Sequence, residues 1–216
     1  MFMKEPSFVQ LHHPALGSAR QELLDGLQLP QARIAPKYFY DALGSRLFEA
    51  ITELPEYYPT RTEAWIFSEF APAMADIVPK GATLIDLGAG NCAKAARLFG
   101  VLEPRRYVAV DISVDFLRQA LGNLQRAHGT LEMVGVGLDF SAGLALPVEA
   151  GSAQDGPRVL FFPGSSIGNF SAHEALHFLR SVRGACGTDP RSGLLIGVYL
   201  VKPGAELEAA YDDALG

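Results

Sequence analysis

Acidic residues and glycines stand at the ends of two apolar segments in the middle of the chain. The first segment, Thr83–Leu87, contains Asp86 and is followed at once by Gly88 and Gly90. The second segment, Tyr107–Asp111, ends in a carboxylate. Glycine lets a backbone turn tightly and approach a ligand where a side chain would collide. A carboxylate at the end of the second strand can accept hydrogen bonds from both hydroxyl groups of a ribose. The pattern predicts a site for an adenosine-containing ligand.

Two ligand classes use such a loop, and further features favour S-adenosylmethionine over a dinucleotide. The segment Gly88-Ala-Gly-Asn-Cys-Ala93 approximates the glycine pattern of a dinucleotide site. However, Asp86 would repel a pyrophosphate and attract the ammonium or sulfonium group of S-adenosylmethionine. Asp139 and Phe140, after a later apolar segment, could accept a hydrogen bond from an adenine amine and stack on its ring. No second candidate phosphate loop occurs in the sequence, so a dinucleotide oxidoreductase is the weaker alternative.

Strand-like and helix-like segments alternate from residue 82 onward, which predicts an α/β fold with a mostly parallel sheet of the Rossmann-like class I methyltransferase type. Residues 1–80 contain no convincing strand, so we expect an N-terminal helical segment (1–80) and an S-adenosylmethionine-binding domain (81–216). The predicted strands are Thr83–Leu87, Tyr107–Asp111, Leu131–Gly137, Arg158–Phe162 and Gly193–Val201. The predicted helices are Ser18–Leu27, Tyr40–Leu54, Thr62–Ile77, Ala93–Leu102, Val114–Ala127, Ala172–Arg183 and Ala205–Ala214.

The helical pattern from Ala205 is still running where the sequence stops at Gly216, and no sixth or seventh strand follows. We therefore expect an incomplete domain, truncated after its fifth strand, with Gly193–Val201 as an exposed sheet edge. Such a fragment is expected to have little activity by itself.

Composition excludes several classes of function. The chain has 216 residues, 49% of them apolar, enough for one good core. A net charge of −6 gives no electrostatic reason to expect a nucleic acid or an anionic membrane as partner. The two cysteines, Cys92 and Cys186, do not make a disulfide framework. No signal peptide or membrane-spanning segment is recognisable, which favours a cytoplasmic protein and leaves the oligomeric state open.

Two short motifs of hydrolytic enzymes have simpler explanations. Gly164-Ser-Ser-Ile-Gly168 matches a nucleophile elbow, but the only later histidines lie in the helix that follows it at once. His173-Glu-Ala-Leu-His177 matches a zinc-protease pattern. Ser171 and Glu174, however, have the spacing of a helix capping box, which gives the glutamate a structural role. No metal site is predicted.

The acceptor side of the site is less readable from the residues. Pro55–Glu63 places Tyr57 and Tyr58 between prolines, which predicts a rigid loop rather than a regular helix. These tyrosines could line an acceptor pocket or cap the core, and the residues alone leave both interpretations open. Asn169 follows the fourth predicted strand, and its amide can both donate to and accept from a small zwitterion.

Together these segments resemble the histidine Nα-methyltransferases of ergothioneine biosynthesis, from about Lys37 to the last residue. Members of that family transfer three methyl groups in turn from S-adenosylmethionine to the α-amine of histidine, giving hercynine. A related branch methylates the amine of a prenylated tryptophan. The matching segments are Tyr38-Phe-Tyr-Asp-Ala-Leu-Gly-Ser45, Leu54-Pro-Glu-Tyr-Tyr-Pro-Thr-Arg-Thr-Glu63, Asp86-Leu-Gly-Ala-Gly90, Asp139-Phe140, Gly164-Ser-Ser-Ile-Gly-Asn169 and Ala210-Tyr-Asp-Asp-Ala214.

The resemblance also implies which residues would contact each ligand. For the cofactor it implies contacts at Gly88, Lys94, Asp111, Asp139 and Phe140, beside the Asp86 and Gly90 of the glycine-loop pattern. It implies contacts with the histidine substrate at Tyr57, Asn169 and Tyr211, and places Tyr40 near the methyl-accepting nitrogen. In that family the imidazole ring is recognised by residues that would lie beyond position 216. Alternatives are methylation of another amino-acid amine and a non-catalytic adenosine-binding remnant.

Overall fold

The computed structural model describes residues 4–13 and 16–212 of the chain. Its strands are β1 (Ser7–Gln10), β2 (Thr83–Leu87), β3 (Arg106–Asp111), β4 (Glu132–Gly137), β5 (Arg158–Phe162) and β6 (Gly193–Ile196). They form one six-stranded sheet in the order β1-β4-β3-β2-β5-β6, and every neighbouring pair is parallel. The order changes direction at β2, between β3 and β5, where open parallel sheets bind ligands at their carboxyl ends. The predicted α/β class is confirmed.

Helices cover both faces of this sheet. Their bounds are α1 (Leu16–Leu27), α2 (Ala42–Thr52), α3 (Tyr58–Glu69), α4 (Ala71–Ile77), α5 (Ala93–Ala96), α6 (Phe99–Leu102), α7 (Val114–Ala127), α8 (Ala172–Cys186) and α9 (Gly204–Tyr211). Short 3-10 helices lie at Pro36–Phe39, Val148–Ala150 and Ser166–Asn169. Ser171 and Glu174 form the predicted capping box at the start of α8. No helix in the described part of the chain is both long and apolar enough to cross a membrane.

The central strands are buried because apolar residues occupy both of their faces. Successive side chains of a strand point to opposite faces, so Leu84 and Ile85 of β2 enter different core clusters. The same alternation places Phe161 on one face of β5 and Phe162 on the other. This two-sided burial is typical of parallel sheets with helices on both faces, and it holds the carboxyl ends of the strands in fixed positions.

The expectation of no strand within residues 1–80 is wrong. β1 pairs with β4 at one edge of the sheet, so the sheet has one strand more than predicted. The pairing depends on Gly135 and Gly137 of β4, because a Cβ atom at either position would lie 2.5 Å from the side chain of Phe8 or Gln10. A strand of four residues is too short for its pattern to be recognised, and its partner is distant in the sequence.

The expectation that Pro55–Glu63 excludes regular helix is also wrong. Helix α3 begins at Tyr58 and has Pro59 in its first turn. A proline is tolerated there because the first backbone N–H groups of a helix have no intrahelical partner. The predicted helix Thr62–Ile77 is therefore two helices, α3 and α4, which are separated at Phe70.

Other predicted bounds need smaller corrections. The predicted strand Gly193–Val201 is regular only as far as Ile196. The predicted helix Ala93–Leu102 is divided into α5 and α6. Helix α9 ends at Tyr211, and the last two residues predicted to be helical, 213 and 214, lie outside the described residues.

Candidate active site at the carboxyl edge of the sheet

The loop after β2, residues 88–92 (the glycine loop), has a backbone that only small residues adopt easily. Gly88 and Gly90 have φ angles of 74° and 51°, and Cys92 is also left-handed, with φ of 62°. The backbone N–H groups of Gly88 and Ala89 both donate to the carbonyl of Val110 at the end of β3. The loop is thus fixed to the neighbouring strand, with its glycines at the sheet's carboxyl edge.

Asp111 holds the other side of this loop. Its Oδ2 atom accepts a hydrogen bond of 2.9 Å from Gly90 N, and its Oδ1 atom accepts one of 2.9 Å from Ser113 N. Burial raises the pKa of Asp111, and the hydrogen bonds from Ser113 and Gly90 act in the opposite direction. Each carboxylate oxygen has two lone pairs that can accept hydrogen bonds, so the carboxylate retains capacity for the hydroxyl groups of a ligand.

Asp86 lies beneath the glycine loop and is only 2% exposed. Its Oδ2 atom accepts a hydrogen bond of 2.7 Å from the hydroxyl of Tyr107, whereas its buried Oδ1 atom has no hydrogen-bond partner. Burial raises the pKa of Asp86 to about 7, the Tyr107 hydrogen bond lowers it, and nearby Asp111 raises it further. With a pKa of about 7 this group is partly protonated at neutral pH, and a cation bound beside the loop would favour its charged form. The sequence-based prediction that Asp86 attracts such a cation stays a prediction.

The loop after β4 meets the glycine loop through Phe140. A Cβ atom at Gly88 would lie 3.8 Å from Cζ of Phe140. The Phe140 ring packs edge-to-face against Phe162, with the ring centroids 5.7 Å apart. The neighbouring Asp139 forms an ion pair of 2.9 Å with Lys37, just before Tyr38. Burial acts to raise the pKa of Asp139, but hydrogen bonds from Ser141 and Lys37 hold it below its usual value.

Aromatic rings from the N-terminal helices and from α9 form a continuous group beside this edge. Edge-to-face contacts join these rings in a series. The ring centroids are 5.7 Å apart for Tyr40 and Phe48, 6.1 Å for Phe48 and Tyr57, and 5.5 Å for Tyr57 and Tyr211. Tyr57 is buried, and Tyr211 is largely exposed. Burial and the nearby Tyr211 raise the pKa of Tyr57 well above its usual value, so its hydroxyl stays protonated at neutral pH.

Tyr199 joins this group and was not among the predicted site residues. Its hydroxyl interacts with those of Tyr57 and Tyr211, and burial, followed by these neighbours, raises its pKa. Its backbone N–H donates to Ser165 Oγ at 2.9 Å. Tyr199 lies in the apolar segment predicted as the last strand, and a single tyrosine in such a segment gives no signal of a functional role. We call Tyr40, Tyr57, Tyr199 and Tyr211 the tyrosine cluster.

Asn169 ends the 3-10 helix that follows β5. It is exposed, and its side chain makes no hydrogen bond to any described residue. The turn that carries it is nevertheless joined to the tyrosine cluster, because Ser165 accepts from the backbone of Tyr199. The structure therefore brings Tyr57 and Tyr211 into contact, whereas Asn169 is connected to them only through this turn. Its predicted contact with the substrate stays a prediction.

Lys94, the predicted cofactor contact on α5, is paired with an acid that we did not single out. Its Nζ atom lies 2.6 Å from Oε2 of Glu63, a residue of α3. The Oε1 atom of Glu63 accepts a hydrogen bond of 2.5 Å from Gly164 N, in the turn after β5. Glu63 ends the Pro-Glu-Tyr-Tyr-Pro-Thr-Arg-Thr-Glu segment, but its long-range partners cannot be read from the sequence.

Comparison with known proteins identifies relatives of the whole region that builds this site. A family model described as a histidine-specific, S-adenosylmethionine-dependent methyltransferase matches residues 19–216. The histidine N-alpha-methyltransferase of Mycobacterium tuberculosis is 36% identical over 202 residues, which cover 91% of this chain and 60% of that protein. The protein of the same name from Mycolicibacterium smegmatis is 36% identical over 207 residues, covering 94% of this chain and 62% of that protein.

A fungal relative is longer still. The ergothioneine biosynthesis protein 1 of Neurospora crassa is 33% identical over 186 residues, covering 82% of this chain and 20% of that protein. The chain thus spans about three fifths of the length of the two bacterial relatives.

Proposed function

The chain belongs to the histidine-specific, S-adenosylmethionine-dependent methyltransferase family, and we propose that it methylates the α-amine of histidine in three successive transfers that yield hercynine. The observation that carries the proposal is the family match over residues 19–216, because this span contains both the glycine loop and the tyrosine cluster. These two groups of residues lie at the same edge of the sheet, so a methyl donor and an amine acceptor could meet between them.

The residues of the carboxyl edge fit S-adenosylmethionine. The backbone at Gly88 and Gly90 leaves the loop open to close approach. Asp111, held by two backbone N–H groups, suits the ribose hydroxyls. Asp139 and Phe140 suit the adenine ring, and Lys94 suits the carboxylate of the methionine part. The unpaired buried oxygen of Asp86 favours a cationic group above it.

When bound, S-adenosylmethionine supplies a methyl group on a sulfonium, which an unprotonated amine can take by in-line displacement. The protein then has to hold the amine, exclude water and let one proton leave between rounds. Tyr40 and Tyr57 suit these tasks, because phenol faces favour a growing quaternary ammonium. Since its pKa is raised, the Tyr57 hydroxyl acts as a hydrogen-bond donor and proton relay rather than as a base.

The acceptor's amino-acid end is assigned to Tyr57, Asn169 and Tyr211. Hydroxyl and amide groups can both donate to a carboxylate and accept from an amine. These residues would bind the α-carboxylate and α-amine, which all amino acids share. None of them is assigned to the imidazole ring. Methylation of another amino-acid amine is therefore the second candidate function.

The test is a competition reaction. The chain is incubated with S-adenosylmethionine and an equimolar panel of amino acids, and mono-, di- and trimethylated products are identified by mass spectrometry. We expect little methylation by the chain alone, and methylation of histidine ahead of all other members of the panel once the imidazole-recognising portion of a family member is fused after residue 216. Methylation confined to another amino acid would move the function to the second candidate. Absence of every product from the fused protein, or full trimethylation of histidine by the chain alone, would contradict this account of the activity.

A further inference from the structure

Glu63 contacts groups that follow two neighbouring strands, β2 and β5. The space between the carboxyl ends of these strands is called the crevice below. Its carboxylate lies 2.6 Å from Lys94 Nζ, on the helix that follows the glycine loop. It also accepts from Gly164 N, in the turn that follows β5. Glu63 itself belongs to α3, the helix that begins directly after Tyr57. One side chain thus joins the helix beside the tyrosine cluster to the helix after the glycine loop and to the turn after β5.

The neighbouring glycines make room for this carboxylate. A Cβ atom at Gly197, just after β6, would lie 2.7 Å from Oε1 of Glu63. A Cβ atom at Gly164 would lie 3.0 Å from Nζ of Lys94, at a φ angle of 77° that already favours glycine. Both glycines therefore stand where a side chain would displace one member of the Glu63–Lys94 pair.

The negative charge of Glu63 affects the pKa values of groups on both sides of the crevice. The side chain is 14% exposed, so solvent screens its field only partly. The negative charge of Glu63 contributes to the raised pKa of Asp86 beneath the glycine loop, after burial and the nearby Asp111. It also contributes to the raised pKa of Tyr199 in the tyrosine cluster, after burial and the two neighbouring tyrosines. The carboxylate is therefore close enough to both groups of residues to affect their ionisation.

We infer that Glu63 is a positioning residue that acts through Lys94 and Gly164 and couples cofactor binding to the helix beside the tyrosine cluster. The inference rests on the proposed function, because it requires that Lys94 contact the cofactor. Glu63 holds the Lys94 ammonium by charge, since the Oε2 atom that lies 2.6 Å from Nζ accepts no hydrogen bond within the described residues, and the N–H donors of the ammonium can then serve a ligand carboxylate. A ligand that engages Lys94 then also fixes Glu63, and through it the first turns of α3.

The substitution Glu63→Gln separates the two contacts. The amide oxygen can still accept from Gly164 N, so the turn after β5 keeps its partner, but the charge that holds Lys94 is lost. Glu69→Gln is the matched control, because Glu69 is an exposed acid of the same helix with no ion pair or side-chain hydrogen bond to any described residue. Thermal unfolding of all variants establishes that they are folded before ligand is added.

The measurement is calorimetric titration with S-adenosylhomocysteine. We expect Glu63→Gln to weaken binding roughly fivefold, which corresponds to about 1 kcal/mol, and Glu69→Gln to leave it unchanged. Because the effect passes through Lys94, Glu63→Gln should cause no further loss in a Lys94→Met background. Wild-type affinity in Glu63→Gln, or losses that multiply in the double variant, would overturn the inference while leaving the proposed function intact. Failure of the wild type to bind would overturn both.

Hydrogen exchange provides a readout that a purely structural role would not change. In the wild type and in Glu69→Gln, saturating S-adenosylhomocysteine should slow amide exchange in residues 58–69 as well as in the glycine loop. In Glu63→Gln, also at saturation, the glycine loop should still be protected and residues 58–69 should not. Equal ligand-dependent protection of residues 58–69 in all three proteins would contradict the coupling.

Discussion

The Nζ atom of Lys37 lies 2.9 Å from Oδ2 of Asp139, and the same ammonium lies 2.9 Å from Glu22. This pair joins the segment that carries Tyr40 to the loop after β4, which we assign to the adenine ring. Burial acts to lower the pKa of Lys37, but the hydrogen bonds to Glu22 and Asp139 outweigh it and leave the pKa raised. The N-terminal segment is thus fastened to the proposed cofactor side of the site by a half-buried ion pair.

The first prediction concerns the stability that this ion pair provides. Lys37→Met should lower the free energy of unfolding by about 1–2 kcal/mol, since hydrogen bonds to charged groups at partly buried sites contribute that much. Lys80→Met is the control, because the Lys80–Glu103 pair is exposed on both sides and should contribute well below about 1 kcal/mol. Urea denaturation measures both values. Equal losses in the two variants would contradict the special role of Lys37.

The second prediction concerns the ribose. Asp111→Ala should weaken binding of S-adenosylhomocysteine by about 1.5–3 kcal/mol, the range for hydrogen bonds to a charged acceptor. Asp115→Ala, at an exposed acid in the first turn of α7, should leave the affinity unchanged. Calorimetry gives the dissociation constants. If Asp111→Ala binds as the wild type does, the ribose lies elsewhere.

The third prediction concerns pH and Asp86. Because burial raises the pKa of Asp86 from 3.8 to about 7, the folded protein retains a proton that the unfolded chain releases between these values. The wild type therefore loses stability from this group as pH rises through that window, and the loss is complete above about pH 7. Asp86→Asn carries no such proton, so its stability relative to the wild type should rise between pH 4 and 7, by on the order of a few kcal/mol.

Thermal and urea unfolding of the two proteins at several pH values measure this difference, in which all other titrating groups cancel. A difference that is constant with pH would show that Asp86 ionises in the folded protein as it does in the unfolded chain.

The fourth prediction separates acceptor binding from cofactor binding. Tyr57→Phe should weaken histidine binding, measured in the presence of S-adenosylhomocysteine, by about 1.5–3 kcal/mol, because a hydrogen bond to the charged amino-acid end is lost. The affinity for S-adenosylhomocysteine itself should not change. Tyr38→Phe, which removes a hydroxyl bonded to the exposed Glu22, should change neither value. A loss of affinity for S-adenosylhomocysteine in Tyr57→Phe would show that Tyr57 contacts the cofactor, which contradicts its assignment to the acceptor.

The sequence predicted the central strands well and the edges of the fold poorly, for a physical reason. A buried parallel strand such as Arg158–Phe162 has an apolar run bounded by turn residues, which is a local signal. Ser7–Gln10 has no such signal, because its place in the sheet depends on the glycines of a distant strand. Residues at strand ends, such as Asp111, were predicted as site candidates from position alone. Glu63 and Tyr199 were missed because only tertiary contacts give them a role.

The identity of the ligand is tested by calorimetric titration of the unmodified chain with S-adenosylhomocysteine and, in parallel, with NAD. We propose that the glycine loop and the carboxylates of Asp86, Asp111 and Asp139 form a site for S-adenosylmethionine. We expect saturable binding of S-adenosylhomocysteine at a single site and no heat of binding with NAD. Saturable binding of NAD with no response to S-adenosylhomocysteine would contradict the proposal.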